Sequence, residues 1–220
     1  MNHTWQAKWI WIDVPEGTPN VYAEARTVFP VDAQVRSATL RISANQEYKV
    51  YINGTEIGFG PSPSDMAWKY FDAYEVADRL TLGDNCLAIA AYNFGTADIV
   101  TMQRQGPGGM IAQLDIRTDD GAYTVATDGT WRCRRSPRWV KSVSRMHLWG
   151  GYKEIYLAEQ EDGWERAEYD EVGWERATVV ADALQADSPW PRLLPREIPF
   201  LRREVVHPSA IVRVEENYGT

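Results

Sequence analysis

The chain has 220 residues, 44% of them hydrophobic and 25% charged, with a formal net charge of -8. That length suits one large all-β domain or a medium domain with extensions, and the apolar share supplies a real core. The negative charge argues against nucleic acid and against an anionic membrane surface, and no apolar run approaches the ~20 residues of a membrane span.

The opening residues, Met-Asn-His-Thr-Trp-Gln, have neither a basic start nor an apolar segment of leader length. With Met1 as the natural start, the sequence predicts a cytoplasmic protein. Residues 5–12, rich in Trp and Ile, predict a first strand buried on both faces, followed by a Pro/Gly loop over 13–20. Residues 21–29 predict a second strand halted by Pro30. Residues 35–44 alternate cleanly, with Ala38, Leu40, Ile42 and Ala44 on one side and Thr39, Arg41 and Ser43 on the other. That is the signature of a half-buried antiparallel strand.

Asn53-Gly54 is a two-residue hairpin signal, because both residues tolerate the positive φ of a type I′ turn. Folding about it places Val50 opposite Ile57 and Tyr48 opposite Phe59. Residues 60–65 form a loop, since Pro61 and Pro63 are poor in a central strand. Trp68 and Tyr70 resume an extended run; Val76 and Leu80 suggest a short helical turn; residues 82–85 form another turn. Residues 86–92 predict an apolar strand with Leu87, Ile89 and Ala91 on one face. After a long polar loop over 93–109, Met110, Ala112, Leu114 and Ile116 alternate up to the Asp120-Gly121 turn, with Val125 returning opposite Ile116.

The basic group Arg132, Arg134, Arg135 and Arg138 reads as a solvated strand edge. Gly163-Trp-Glu-Arg-Ala167 nearly recurs at Gly173-Trp-Glu-Arg-Ala177, and Trp164 and Trp174 read as plugs at the end of the fold. Residues 188–199 are Pro-rich, and 205–214 suggest one last strand. Cys86 and Cys133 lie in strand-like runs and read as reduced core thiols, and with His3, His147 and His207 they give no zinc spacing. Many short strands with frequent turn signals predict an all-β fold, an antiparallel β-sandwich ahead of a closed barrel. The layout is an N-terminal strand and loop (1–20), a sandwich domain (21–187) and a Pro-rich tail (188–220), strand and tail packing on the outside.

A run of motifs then resembles one family. They are Ala38-x-Leu40-x-Ile42-x-Ala44, Tyr48-x-Val-Tyr-Ile-Asn53-Gly54, Trp68-Lys-Tyr-Phe-Asp72, Leu82-Gly-Asp-Asn85, Gly109-Met-Ile-Ala-Gln-Leu-Asp-Ile116 and Thr127-Asp-Gly-Thr-Trp131. In this order they resemble the non-catalytic N-terminal β-sandwich modules of bacterial α-L-rhamnosidases, over roughly residues 5–200. Tyr74-Glu75-Val76 and Lys153-Glu154 depart from the pattern. The resemblance implies a galactose-binding-like jelly roll, used in places for sugar binding and in places for packing. It implies a catalytic (α/α) barrel elsewhere in the same polypeptide, toward which Leu194-Pro-Arg-Glu-Ile-Pro199 leads. No segment here has the helical periodicity of such a barrel.

Sugar binding places aromatic faces against a pyranose and carboxylates or amides on its hydroxyls. Trp68, Tyr70 and Asp72 alternate and share a face, which makes them the leading candidates; core packing with Asp72 capping a turn is the competing reading. Asn93 and Asp98 in the long loop are candidate hydroxyl or calcium contacts, and Trp149 and Tyr152 a second aromatic platform. No other cofactor is expected. Acidic pairs such as Asp119/Asp120 and Glu161/Asp162 fall in turns, where they act as turn formers rather than as a glycosidase pair. Two readings stay open: a structural brace for a catalytic domain, and a lectin-like module for L-rhamnose or a related sugar. A brace needs an uncovered apolar patch, and Trp5, Trp9, Trp11 and Trp190 are expected to contribute to it.

Overall fold

The computed structural model describes residues 4–65, 67–95, 106–147 and 150–213. Strands, numbered in chain order, form two sheets. The first runs β12 (Thr178–Asp182), β1 (Lys8–Trp11), β8 (Met110–Thr118), β3 (Val35–Ala44), β6 (Lys69–Glu75) and β13 (Leu193–Pro195), with β9 (Ala122–Ala126) also paired to β8. The second runs β11 (Glu175–Arg176), β10 (Arg132–Arg135), β2 (Val21–Val31), β7 (Gly83–Asn93), β4 (Glu47–Ile52) and β5 (Thr55–Gly60). Neighbours are antiparallel except β13 beside β6. Period-2 alternation sets the core: Ala38, Leu40, Ile42, Leu114 and Ile116 of one sheet meet Val50, Ile52, Leu87 and Ile89 of the other, all at most 1% exposed. The result is a jelly-roll β-sandwich. Cys86 and Cys133 are buried, unbridged thiols within it.

Several expectations shift by a residue or two, each for a visible reason. β2 runs through Pro30 to Val31. β10 flanks β2 only from Ala23 to Arg26, so beyond that point β2 has β7 on one side alone and a missing N–H costs nothing. The Asn53-Gly54 turn forms as expected, with φ of 50° and 79°. A bulge at Val50/Tyr51 then slips the register, so that Val50 faces Gly58, Lys49 faces Phe59 and Tyr48 faces Gly60. The slip sets two glycines where side chains cross from the other sheet: a Cβ on Gly58 would collide with the Tyr74 hydroxyl, and one on Gly60 with the Asp72 carboxylate. Val125 pairs with Leu114, not Ile116, because the turn spans four residues, Thr118 N–H bonding Gly121 O. A two-residue slip preserves the face, so the core is unchanged.

Larger corrections concern the termini. β1 is a member of the first sheet, between β12 and β8, rather than an external strand. Trp9 and Trp190 are 0% exposed and stack at 4.2 Å, and Trp11 is 6% exposed, so these rings are buried within the chain itself. Residues 205–213 form no strand and lie exposed. Trp164 and Trp174 cap the outer face of the second sheet, over Cys86 and Ala88, rather than its end. Nor is the arginine group a solvated edge: β10 sits between β11 and β2, and Arg138 is 9% exposed.

Candidate functional site

The β6 face places Tyr70, Asp72 and Tyr74 on the inward side of the sandwich, where its open edge meets β5. Asp72 is fully buried and accepts hydrogen bonds from the Tyr48 hydroxyl and from Arg196 Nε. Tyr48 in turn lies 3.1 Å from the Tyr74 hydroxyl, and Tyr70 donates to Glu197 Oε2 at 3.3 Å. Residues 196–203 thus form a strap across the sandwich edge: Arg196 holds Asp72, Phe200 stacks on Tyr74 at 5.0 Å, and Arg203 lies over Phe59 and pairs with Glu56. Trp68 precedes β6 and is half-buried. Burial pushes the phenols of Tyr48 and Tyr74 up, the latter to about 12, so they act as hydrogen-bond donors here. On the opposite side of β6, Lys69 is buried and donates to Asn45 O at 2.9 Å; burial lowers its ammonium to about 8, opposed by the charge of Asp65.

The other expected residues separate from this group. Asn93 ends β7, 4% exposed, and its amide joins Asn45 to Gly106 O, an internal tie that fixes the start of the long loop. Tyr152 packs on Phe94 at 4.9 Å. Asp98 and Trp149 lie outside the described residues. Among the described residues no group of three or more His, Cys, Asp or Glu could hold a metal ion, and no helix is long and apolar enough to cross a membrane.

A cleft with a volume of about 1090 Å³ runs from the outer face of the second sheet, at Tyr22, Ala90 and Tyr92, past β5 to Tyr48, Tyr74 and the strap residues Arg196 and Phe200. Strand register lays out its floor as a grid. Tyr22, Tyr92 and Glu47 form one row and Glu24, Ala90 and Lys49 the next; in the third row Tyr51 still lines the cleft, whereas Ala88 lies under Trp164 and Trp174. A two-stranded flap rises beside the grid, where Trp139 bridges Tyr156 and Val140 N–H bonds Ile155 O. Rings then run in a ladder: Tyr92 to Tyr22 at 4.6 Å, Tyr22 to Trp139 at 4.4 Å, and Trp139 to Tyr156 at 4.9 Å. Glu154 of the flap and Phe59, Pro61 and Phe200 complete the rim.

Electrostatics separate the floor from the rim. Glu24 is 0% exposed and fully engaged, accepting from Arg134 Nε at 2.7 Å, Arg138 Nε at 3.0 Å and Ser136 Oγ at 2.6 Å. Arg138 also reaches Glu165 at 3.2 Å, and Arg26 pairs with Glu171. These buried charges fix the floor. Glu47, Lys49 and Glu154, by contrast, are exposed. Burial, then the negative charge of Glu154, raises the Tyr22 phenol, and burial with Glu56 raises Tyr51 to about 12, so both remain donors at any working pH. Sequence reasoning missed this cleft. One signal was present: on β7, Cys86, Ala88 and Ala90 are apolar or small on the face opposite Leu87 and Ile89, the mark of a strand covered on both sides.

The fold is that of a two-sheet, mainly antiparallel β-sandwich module. The chain belongs to the alpha-L-rhamnosidase N-terminal domain family, whose profile matches residues 33–195. It is 28% identical over 213 residues to an alpha-L-rhamnosidase of Streptomyces avermitilis, an alignment covering 87% of this chain and 18% of that one. Among solved structures it superposes on a GH78 family rhamnosidase of Bacillus sp. GL1 with a TM-score of 0.77 and 32% identity, covering 90% of this chain and 20% of the other. A lectin from Pleurotus ostreatus matches with a TM-score of 0.61 and 25% identity, over 86% of this chain and 45% of the lectin. The chain spans about a fifth of the length of the curated relatives it matches, 18% and 24%.

Proposed function

We propose that the chain is a non-catalytic accessory β-sandwich of an α-L-rhamnosidase-like glycoside hydrolase, bracing a catalytic domain of the same polypeptide. One observation carries this reading: the segment after β13 exposes a succession of large apolar side chains. Ile198 is 58% exposed, Leu201 76%, Val205 83%, Val206 85%, Ile211 80% and Val212 96%. So many large apolar side chains exposed along one segment point to an interaction surface. The relatives are longer polypeptides, with room for such a partner.

The test places the chain in one polypeptide with a rhamnosidase catalytic domain and replaces Leu201, Val205 and Val206 by Ser. The joined protein is expected to lose several degrees of Tm while the isolated chain keeps its own. An equal shift in both would sink the brace. The isolated chain is expected to leave an aryl α-L-rhamnoside unhydrolysed; turnover lost on one carboxylate substitution would overturn its non-catalytic assignment.

A second reading, a lectin-like module for L-rhamnose or a related sugar, is favoured by the cleft and by the likeness to the Pleurotus ostreatus lectin, a protein also solved in complex with GalNAc. Titrating L-rhamnose with and without calcium tests it, saturable binding being the expected result.

A further inference from the structure

We propose that residues 205–212 donate a β-strand to the edge of a sheet in the rest of the polypeptide. The inference rests on the bracing reading above and goes further in naming the contact as backbone pairing and the partner as a sheet edge.

The segment carries a strand pattern that nothing in this chain satisfies. Val205, Val206, Ile211 and Val212 are β-branched, a type that suits extended backbone and loses side-chain freedom in a helix. Yet the segment forms no strand, and from Glu197 to Val212 no backbone group bonds to another among the described residues. Arg196, whose N–H bonds Phe71 O, is the last residue tied in that way before this stretch.

The side chains say what the partner must cover. Successive residues of a strand point to opposite faces, so Val205 and Val206 put one apolar group on each face, and Ile211 and Val212 do the same. All four are 80% to 96% exposed in this chain. Apolar groups on both faces mark a strand covered on both sides, whereas a strand lying in a groove needs only one apolar face. Helices bond their own backbone and leave no open ladder, so the partner is a sheet rather than the helices of a barrel. The chain spans 18% and 24% of its relatives' length, which leaves room for such a sheet.

Pro208 fixes the register. It has no N–H, so it fits a sheet in an edge strand, with the missing donor turned to solvent. A strand added to an edge becomes the new edge and meets that condition. Backbone groups of alternate residues point to alternate sides. With residue 208 outward, Val205, His207, Ser209 and Ile211 turn theirs to the partner, and Val206, Ala210 and Val212 turn theirs to solvent. Arg203, paired with Glu56 of β5, ties the near end to the sandwich.

The experiment measures amide hydrogen exchange residue by residue in the isolated chain and in the chain joined to the rest of a rhamnosidase polypeptide. Joining is expected to slow Val205, His207, Ser209 and Ile211 by at least about 100-fold and to leave Val206, Ala210 and Val212 within about threefold. Ile211→Pro removes a paired N–H and is expected to abolish the slowing; Val212→Pro removes a solvent-facing one and is expected to keep it. Both positions are exposed, so the sandwich keeps its fold. If the serine replacements at Leu201, Val205 and Val206 lower the Tm of the joined protein while these amides stay fast, the brace stands and the strand is wrong. Equal slowing of both sets, or a Val212→Pro effect as large as that of Ile211→Pro, also overturns the edge pairing. No slowing and no change in Tm sinks strand and brace together.

Discussion

The two outer faces of the sandwich solve one problem, covering a sheet, by different chemistry. Over the first sheet, Trp9, Phe71, Ile111, Trp190 and Leu193 form a mostly apolar cover, ring against ring, and Trp190 Nε1 donates to Asn45 Oδ1 at 3.0 Å. Over the second, tryptophans lie on guanidiniums: Arg134 over Trp174 at 4.4 Å and Arg138 over Trp164 at 5.5 Å, with Glu24 beneath both arginines. Beneath the apolar cover Trp9, Ile111 and Trp190 have no exposure, and beyond it the same face carries the Arg41–Asp115 pair. The ionic cover must keep its charges paired, and it stops short, leaving the cleft. Buried ion pairs of this kind set positions more than they add stability, so the second face is organised for placement and the first for cohesion.

Removing Glu24 tests that contrast most severely. Glu24→Ala strands Arg138 and Arg134 with half their partners gone, and should cost about 3–5 kcal/mol in urea unfolding. A loss under about 1 kcal/mol would mean the guanidiniums re-pair or hydrate freely, and the distinction between the faces would collapse. Next comes a cation buried under the apolar cover. Lys69 is lowered from 10.5 to about 8 by burial. Between those values the unfolded chain holds the proton that the folded chain has released, so the contribution of Lys69 to stability rises with pH through about 8 to 10.5. Compared with Lys69→Met, the parent should therefore gain up to about 3 kcal/mol across that window. The difference must be read between the two proteins, because Cys86, raised to about 11, and Cys133, raised to about 12, push stability the other way above about 9 in both. A flat difference would show that Lys69 is hydrated. Trp190→Phe is smaller: it keeps a ring on Trp9 but removes the bond to Asn45 and part of the volume, for about 2 kcal/mol.

How much of this could be read in the chain depends on range. Alternation over 35–44 and 110–116 gave strands β3 and β8 and their inward faces, because period 2 is a local property. Register needed more. The slip in the β4–β5 hairpin answers to Tyr74 and Asp72 crossing from another sheet, which no local pattern encodes. The arginine group looked solvated because its partners, Glu24, Asp162 and Glu165, lie up to 114 residues away in sequence. The cleft stayed hidden for the same reason: Tyr22, Tyr92 and Trp139 become one ladder only when three distant segments meet. Tyr70 and Asp72 were placed correctly on one face, but what covers that face comes from residues 196–203.

That strap gives the last and smallest expected effect, and it extends the comparison to the sandwich edge, where neither cover reaches. Arg196 is anchored on a fully buried carboxylate, whereas Arg203 is an exposed pair with Glu56 lying 5.1 Å over the Phe59 ring. An exposed ion pair and an exposed cation–π contact each contribute under about 1 kcal/mol. Arg203→Ala should therefore shift the unfolding midpoint barely at all, yet speed amide hydrogen exchange at Phe200 and Leu201, because local opening of the strap needs only those weak contacts to break. The core strands β3 and β7 should exchange as before. A loss of global stability comparable to that of Trp190→Phe would make the strap a third cover, integral to the sandwich. Local opening alone would make it a hinge between the β-sandwich and the exposed apolar side chains from Leu201 onward.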